Sequence, residues 1–297
     1  MKIIVLGGGV VGVAGAWYLA AAGHEVTLLE RHAAPALETS FANGGQIAAG
    51  HAQPWAKPAA VRQMLRWLGS EDAPLLFRPR ASRAQWEWGL RFLYECLPGR
   101  FERHVRTLGA LARYSRECLR ALRRDLGLRY DHLERGILQF ATRSREFEAM
   151  AHGAEALRAL GAAPEVKSAA ECLELEPALR HSTEPVAGGV YDREDESGDA
   201  HRFTQELARI AASRGVTFRF GASVEAIEAA GERVAQVHVR NSIERADAYV
   251  VSLGSYSPLL LAPLGIHIPV YPLKGYSITL PLGPAELGAA PTVSLTD

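Results

Sequence analysis

With 297 residues, 48 % of them hydrophobic and 22 % charged, the chain has the composition of a soluble globular protein long enough for two domains. Its formal net charge of zero gives no overall pull toward nucleic acid, and no nucleic-acid partner is expected. The three cysteines, Cys96, Cys118 and Cys172, lie far apart without a C-x-x-C, and no histidine pair has zinc-like spacing. That pattern excludes a disulfide framework, indicates a reducing compartment and predicts no metal site.

The first thirty residues carry the most information. Lys2 to Leu6 is a short apolar run rich in β-branched residues, which predicts a buried parallel strand. Gly7, Gly9 and Gly12 follow as G-x-G-x-x-G, the uncharged run Val10 to Ala22 predicts a buried helix, and Glu25 to Leu29 a second strand ending at Glu30. In a dinucleotide-binding βαβ unit the first glycine makes the tight turn and the second admits the pyrophosphate. The third lets helix and strand pack closely. The helix then offers its unpaired N–H groups and positive dipole end to phosphate. Glu30 stands near the usual offset for an acid that binds a ribose hydroxyl. A carboxylate there repels a 2′-phosphate, which leaves FAD or NAD. The same stretch could be read as a signal peptide or membrane span, but the helix is too short and no cleavage site follows.

Beyond Glu30, the segment Ser40-Phe-Ala-Asn-Gly-Gly-Gln-Ile47 suits either a ligand-facing loop or a plain surface turn. From about residue 60 to 130 the periodicity becomes helical. Leu90, Phe92, Leu93 and Leu97 mark one face, and Leu108, Leu111, Leu119 and Leu122 continue it. This region holds fifteen Arg against seven Asp plus Glu, with Trp55, Trp67, Trp86 and Trp88 in or beside it. Basic helices with interfacial tryptophans can rest on an anionic membrane. A solvated helical face with tryptophans in the core is the favoured reading.

Strands are predicted at 136–142 and 188–192, and helices at 147–160, from 168 and at 202–214. Glu194, Asp195, Glu196 and Asp199 form an acidic turn that lacks the EF-hand order and is expected to be solvated. Four strands follow between 216 and 253, with Asn241-Ser242 as a hairpin turn. The last runs into Gly254-Ser-Tyr-Ser, a second strand-to-glycine junction. Seven prolines from Pro258 to Pro291 then punctuate short extended pieces.

Taken together, the βαβ unit with Glu30, TSFANGGQIAAG, GDAHRFTQELARIA, ADAYVVSLGSYS and IPVYPLKGYS resemble the D-amino acid dehydrogenase small subunit nearly end to end. That family lies within the D-amino acid oxidase and glycine oxidase superfamily. The resemblance implies an α/β fold: a Rossmann-like FAD-binding domain with a β-meander, and a discontinuous α+β substrate domain carrying a helical insertion. The expected boundaries are 1–58 and 196–262 for the FAD-binding domain, and 59–195 and 263–297 for the substrate or cap domain. The implied activity is oxidative deamination of D-amino acids, D-alanine among them. Electrons would pass to a quinone or another acceptor.

The candidate cofactor residues are Ile3, Ile4, Val5, Leu6, Gly7, Gly8, Gly9, Val10, Val11, Gly12, Glu30, Arg31, Ser40, Asn43, Gly44, Gly45, Gln46, Val224 and Gly254. No catalytic side chain is assigned, since flavin chemistry needs no nucleophile. His51 and His201 sit near matched motifs, where a packed or surface role is favoured. The resemblance also implies a further sheet region, a C-terminal helix and a substrate-binding arginine past residue 297, so the sequence reads as a fragment. The expected location is cytoplasmic, with docking on the inner face of the cytoplasmic membrane as the further expectation. Competing readings are an oxygen-dependent glycine or sarcosine-type oxidase, an NAD-dependent dehydrogenase, and a catalytically incomplete FAD-binding remnant.

Overall fold

The computed structural model describes residues 1–50, 52–67, 78–158, 163–284 and 286–296. Its strands are β1 (Lys2–Leu6), β2 (Glu25–Leu29), β3 (Gln46–Ile47), β4 (Ile137–Ala141), β5 (Glu165–Ser168), β6 (Gly188–Asp192) and β7 (Glu196–Ser197). They continue with β8 (Thr217–Arg219), β9 (Val224–Ala230), β10 (Arg233–Val239), β11 (Ser242–Glu244), β12 (Ala248–Val251) and β13 (Ser294–Thr296). The helices are α1 (Val10–Ala21), α2 (Pro58–Trp67), α3 (Arg83–Glu95), α4 (Pro98–Leu126), α5 (Ser144–Arg158), α6 (Ala169–Leu175), α7 (Ala200–Ser213) and α8 (Ser257–Leu261). Two compact units result. One comprises Met1–Gly45, Leu122–Asp131 and Asp199–Ile278; the other comprises Gln46–Ala121, His132–Gly198 and Thr279–Asp297.

In the first unit β12, β1, β2 and β8 form, in that order, a wholly parallel sheet. Ile4, Val5 and Leu6 are fully buried, which is why their sequence is a continuous apolar run rather than an alternation. Each such side chain contributes about 1.5–3 kcal/mol through burial. The antiparallel meander β11-β10-β9 closes the same core, with Ile227, Val237 and Val239 packed in one cluster with Ile4, Leu6 and Leu29. Helix α7 begins at Asp199, whose carboxylate accepts from the Arg202 N–H at 2.9 Å as an N-cap. Its apolar face buries Phe203, Leu207 and Ala211.

The second unit is built on the mixed sheet β13-β4-β6-β5, in which only the β13–β4 pair is parallel. Helix α6 starts with a capping box between Ser168 and Glu171. The Glu176 carboxylate is 1 % exposed and reaches across to the strand-entry residues of β13. It accepts from Ala178 N–H at 3.0 Å, Thr292 N–H at 2.5 Å, Val293 N–H at 2.8 Å and the Thr292 hydroxyl at 3.2 Å.

Two expectations are corrected in this unit. The acidic turn is solvated only in part: Glu194 is exposed, but Asp195 and Glu196 are completely buried. Arg116, itself 7 % exposed in its side chain, lies 3.6 Å from Asp195 and pairs with Glu194, while Arg120 holds Glu196 at 2.5 Å. The guanidinium groups of α4 compensate the desolvation of these acids, which a surface turn would not require. Nor do the tryptophans whose side chains are described join the core: Trp55 is 69 % and Trp86 53 % exposed, while the Trp67 side chain lies outside the described residues. Trp88 is half-buried and stacks on Phe92 at 5.2 Å. The predicted leucine face is largely open as well, because helical periodicity identifies a stripe without saying what covers it. Among the described residues, no helix is long and apolar enough to cross a membrane. The proline-punctuated stretch 266–283 forms no regular element, and the next one is β13.

Candidate dinucleotide site

The turn after β1 is tight because backbone packs directly on backbone. Gly7 has φ +106°, and a Cβ there would stand 2.5 Å from the Ser252 carbonyl oxygen. A Cβ on Gly12 would lie 1.9 Å from the Gly7 carbonyl oxygen. These are the two approaches for which the glycine spacing is needed: α1 lies against the end of β1, and the end of β12 lies against the turn. Gly9 caps α1 without a side chain of its own. Ser40 supplies the missing oxygen, accepting from the Val10 N–H at 3.0 Å. A helix start leaves further N–H groups without intrahelical acceptors, and those of Val11 and Gly12 belong to this set. The side chains of Ile3, Ile4, Val5 and Leu6 are core, so only their backbone adjoins the turn.

Glu30, 8 % exposed at the end of β2, folds its carboxylate over this turn. Its Oε2 accepts from the Gly8 N–H at 2.7 Å and its Oε1 from the His32 N–H at 2.8 Å. The backbone is pinned as well, with Glu30 N–H donating to Arg219 O and Glu30 O accepting from Ala222 N–H. That pairing brings the 219–224 segment, and so Val224 at the start of β9, alongside the acid end of β2. Arg31 lies over the Tyr256 ring at 4.2 Å and pairs with Glu38. Hydrogen bonding from His32 at 2.7 Å, joined by Arg31, outweighs burial and holds the Glu38 carboxyl below its ordinary range. Gly254 opens the turn that carries Tyr256 and has open space where a Cβ would be.

The connection from Arg31 to Ser40 is strained at one point. Ala36 is buried with φ 64°, a conformation costing a non-glycine residue about 1–2 kcal/mol. Two hydrogen bonds hold it there: Ala36 N–H donates to Gly8 O at 2.9 Å, and Ala36 O accepts from His201 Nδ1 at 2.9 Å. His201 also meets Phe41 edge-on at 4.9 Å. Its role is to hold the loop, in line with a packed histidine. His51 lies outside the described residues.

Asn43 serves its own turn. Its side-chain oxygen accepts from Gly45 N–H at 2.8 Å, and its nitrogen donates to Thr39 O and Ser40 O, each at 3.2 Å. Gly44 is exposed beside it. Gln46 belongs to the other unit, where it begins β3 with its amide on Ser294 and Thr296. Thus Gly7 to Gly12, Glu30, Ser40 and the β12–Gly254 junction come together, with Arg31 beside Tyr256. The sequence reading missed Glu38, Ala36 and Tyr256 as partners, because each acts through a loop contact with no periodic signal.

Two strand-to-glycine junctions side by side, an acid over the first and a helix N-terminus between them, are the features of a dinucleotide-binding α/β protein. The family model described as FAD dependent oxidoreductase matches residues 2–297, so FAD is the cofactor. The D-amino acid dehydrogenase of Dechloromonas aromatica (strain RCB) is 54 % identical over 302 residues, covering 100 % of this chain and 72 % of the relative. That of Paramagnetospirillum magneticum is 48 % identical, covering 100 % and 70 %. Among solved structures, glycine oxidase from Geobacillus kaustophilus superposes with a TM-score of 0.64 at 21 % identity, over 89 % of this chain and 58 % of that one, a likeness of fold. The chain belongs to the D-amino acid dehydrogenase family of FAD-dependent oxidoreductases. It spans about seven tenths of the length of these relatives.

Proposed function

We propose that the chain oxidatively deaminates D-amino acids, D-alanine among them, to 2-oxo acids and ammonia, with a quinone or another non-oxygen acceptor taking the electrons. The observation that carries this reading is the similarity of the whole of this chain to about seven tenths of the D-amino acid dehydrogenases it matches. When bound, FAD supplies the two-electron acceptor for the substrate Cα–H bond. The protein's part is to bind and orient. The Val11 and Gly12 N–H groups and the α1 dipole suit a pyrophosphate passing Gly7, Gly8 and Gly9. Glu30 suits the adenosine ribose, its oxygens exchanging backbone N–H donors for hydroxyls. Arg31, Ser40, Asn43, Gly44, Gly45, Gln46, Val224 and Gly254 complete the proposed cofactor set. Residues 1–58 and 196–262 form the proposed FAD-binding domain, with 59–195 and 263–297 presenting the substrate. Purified chain supplied with FAD, D-alanine and a soluble quinone is expected to yield pyruvate without oxygen. L-alanine is expected to give none, and turnover that requires oxygen would contradict the acceptor assignment.

The proposal includes peripheral docking on the inner face of the cytoplasmic membrane. Trp86, Leu90, Leu93 and Leu97 follow helical spacing along α3 and its end, and are 53, 67, 42 and 50 % exposed. Arg83 and Arg91 are exposed on the same helix. Such a surface suits the interface of an anionic bilayer. The chain is expected to co-sediment with anionic vesicles at low salt and to release as salt rises; if all of it stays in the supernatant, docking is wrong.

A further inference from the structure

His201 meets the loop between β2 and β3 at two points, all within the first unit. Its Nδ1 stands 2.9 Å from the Ala36 carbonyl oxygen, and its ring meets the Phe41 ring edge-on at 4.9 Å. A carbonyl oxygen can only accept, so Nδ1 carries the proton of this bond. The two contacts bracket Leu37, Glu38, Thr39 and Ser40. Of these four, Glu38 pairs with Arg31, and Ser40 Oγ accepts from the Val10 N–H at 3.0 Å at the start of α1. Ser40 also stands against Gly9, with Oγ 3.4 Å from the position of a Cβ there.

The grip falls on a strained residue. Ala36 has φ 64°, a region that side-chain-bearing residues rarely occupy. A return to ordinary backbone angles would send the following chain in a new direction, and Ser40 with it. Among the described residues, the Ala36 backbone has two partners: Gly8 O for its N–H and His201 for its carbonyl. Gly8 belongs to the phosphate turn itself, whereas His201 brings in a separate element. It sits in the first turn of α7, a helix fixed by the Asp199 cap and by buried Phe203, Leu207 and Ala211, and packed along α1. A donor carried on such a helix loses little freedom in making its bond.

We propose that His201 is a positioning residue for the cofactor: its hold on Ala36 keeps the strained loop closed and Ser40 at the phosphate turn. The inference rests on the cofactor set proposed above and adds the residue that orders part of it from outside. Hold and strain are then coupled. Without His201 the loop relaxes; with glycine at position 36 there is no strain, and the loop has far less need of the histidine.

The test is a fluorescence titration of the whole chain with FAD. His201→Ala is expected to weaken FAD binding at least tenfold. His201→Asn, whose amide nitrogen takes the place of Nδ1, is expected to bind within threefold of wild type. Adding Ala36→Gly to His201→Ala is expected to recover at least fivefold of the loss, because glycine adopts the left-handed conformation without a steric penalty. If the ring served only to pack α7, the double variant would be as weak as His201→Ala, and that result would overturn the inference. A loss of less than threefold in His201→Ala would overturn it too. Should His201→Ala fail to fold, His201→Asn decides: a folded Asn variant weakened more than threefold contradicts the hold. A wild type that binds no FAD would instead overturn the cofactor set, and this inference with it.

Discussion

Gly12→Ala is expected to abolish FAD binding, weakening it at least 100-fold, or by about 3 kcal/mol. The added methyl would sit 1.9 Å from the Gly7 carbonyl oxygen, a backbone atom that no rotamer change can move. Helix α1 must then lift from the end of β1, taking its N-terminal N–H groups away from the phosphates. Gly15→Ala is the matched control. It lies in the same helix with nothing within 4 Å of its Cβ position, and is expected to bind FAD normally and gain about 0.5–1 kcal/mol of stability. A fluorescence titration with FAD separates the two variants. Wild-type affinity in Gly12→Ala would remove the close-packing argument.

Glu176→Ala is expected to cost about 3–5 kcal/mol of stability. Three backbone N–H groups lose their common acceptor, and two of them belong to the chain entering β13. Glu176→Gln keeps one oxygen but turns an N–H₂ toward a donor, so an intermediate loss is expected. The carboxyl also carries a pH signature. Burial alone would raise it, but the donors of Ala178, Val293 and Thr292 prevail and leave it below its ordinary 4.5. A carboxyl depressed in the folded state stabilises fully above its unfolded value, and that stability is lost as pH falls through the folded value. The gap between wild type and Glu176→Gln in urea unfolding is thus expected to be constant at neutral pH. It should narrow as pH drops below about 4.5. A gap that widened on acidification would have the wrong sign.

What could be read from the sequence follows the range of the interactions. The β1–α1–β2 unit was legible to within a residue, because a buried strand, a glycine turn and an uncharged helix are local signals within thirty residues. The same holds for α7, whose Asp199 cap and apolar stripe lie in one stretch. Glu176 was not legible, since its partner Val293 is 117 residues away. Nor was the burial of Asp195 and Glu196, since Arg120, which pairs with Glu196, stands 76 residues away. Strand β5, Glu-Val-Lys-Ser, has no alternation to betray it and is ordered by pairing with β6. In the site, the glycines and Glu30 announce themselves by spacing, whereas Glu38 and the strained Ala36 act through a loop that spacing rules do not reach.

The most direct test of the account is the visible absorption spectrum of the purified chain, reconstituted with FAD, before and after anaerobic D-alanine. Flavin bands that are present and bleach with D-alanine, but not with L-alanine, are the predicted result. An absence of flavin, or bands left unchanged by D-alanine, would contradict it.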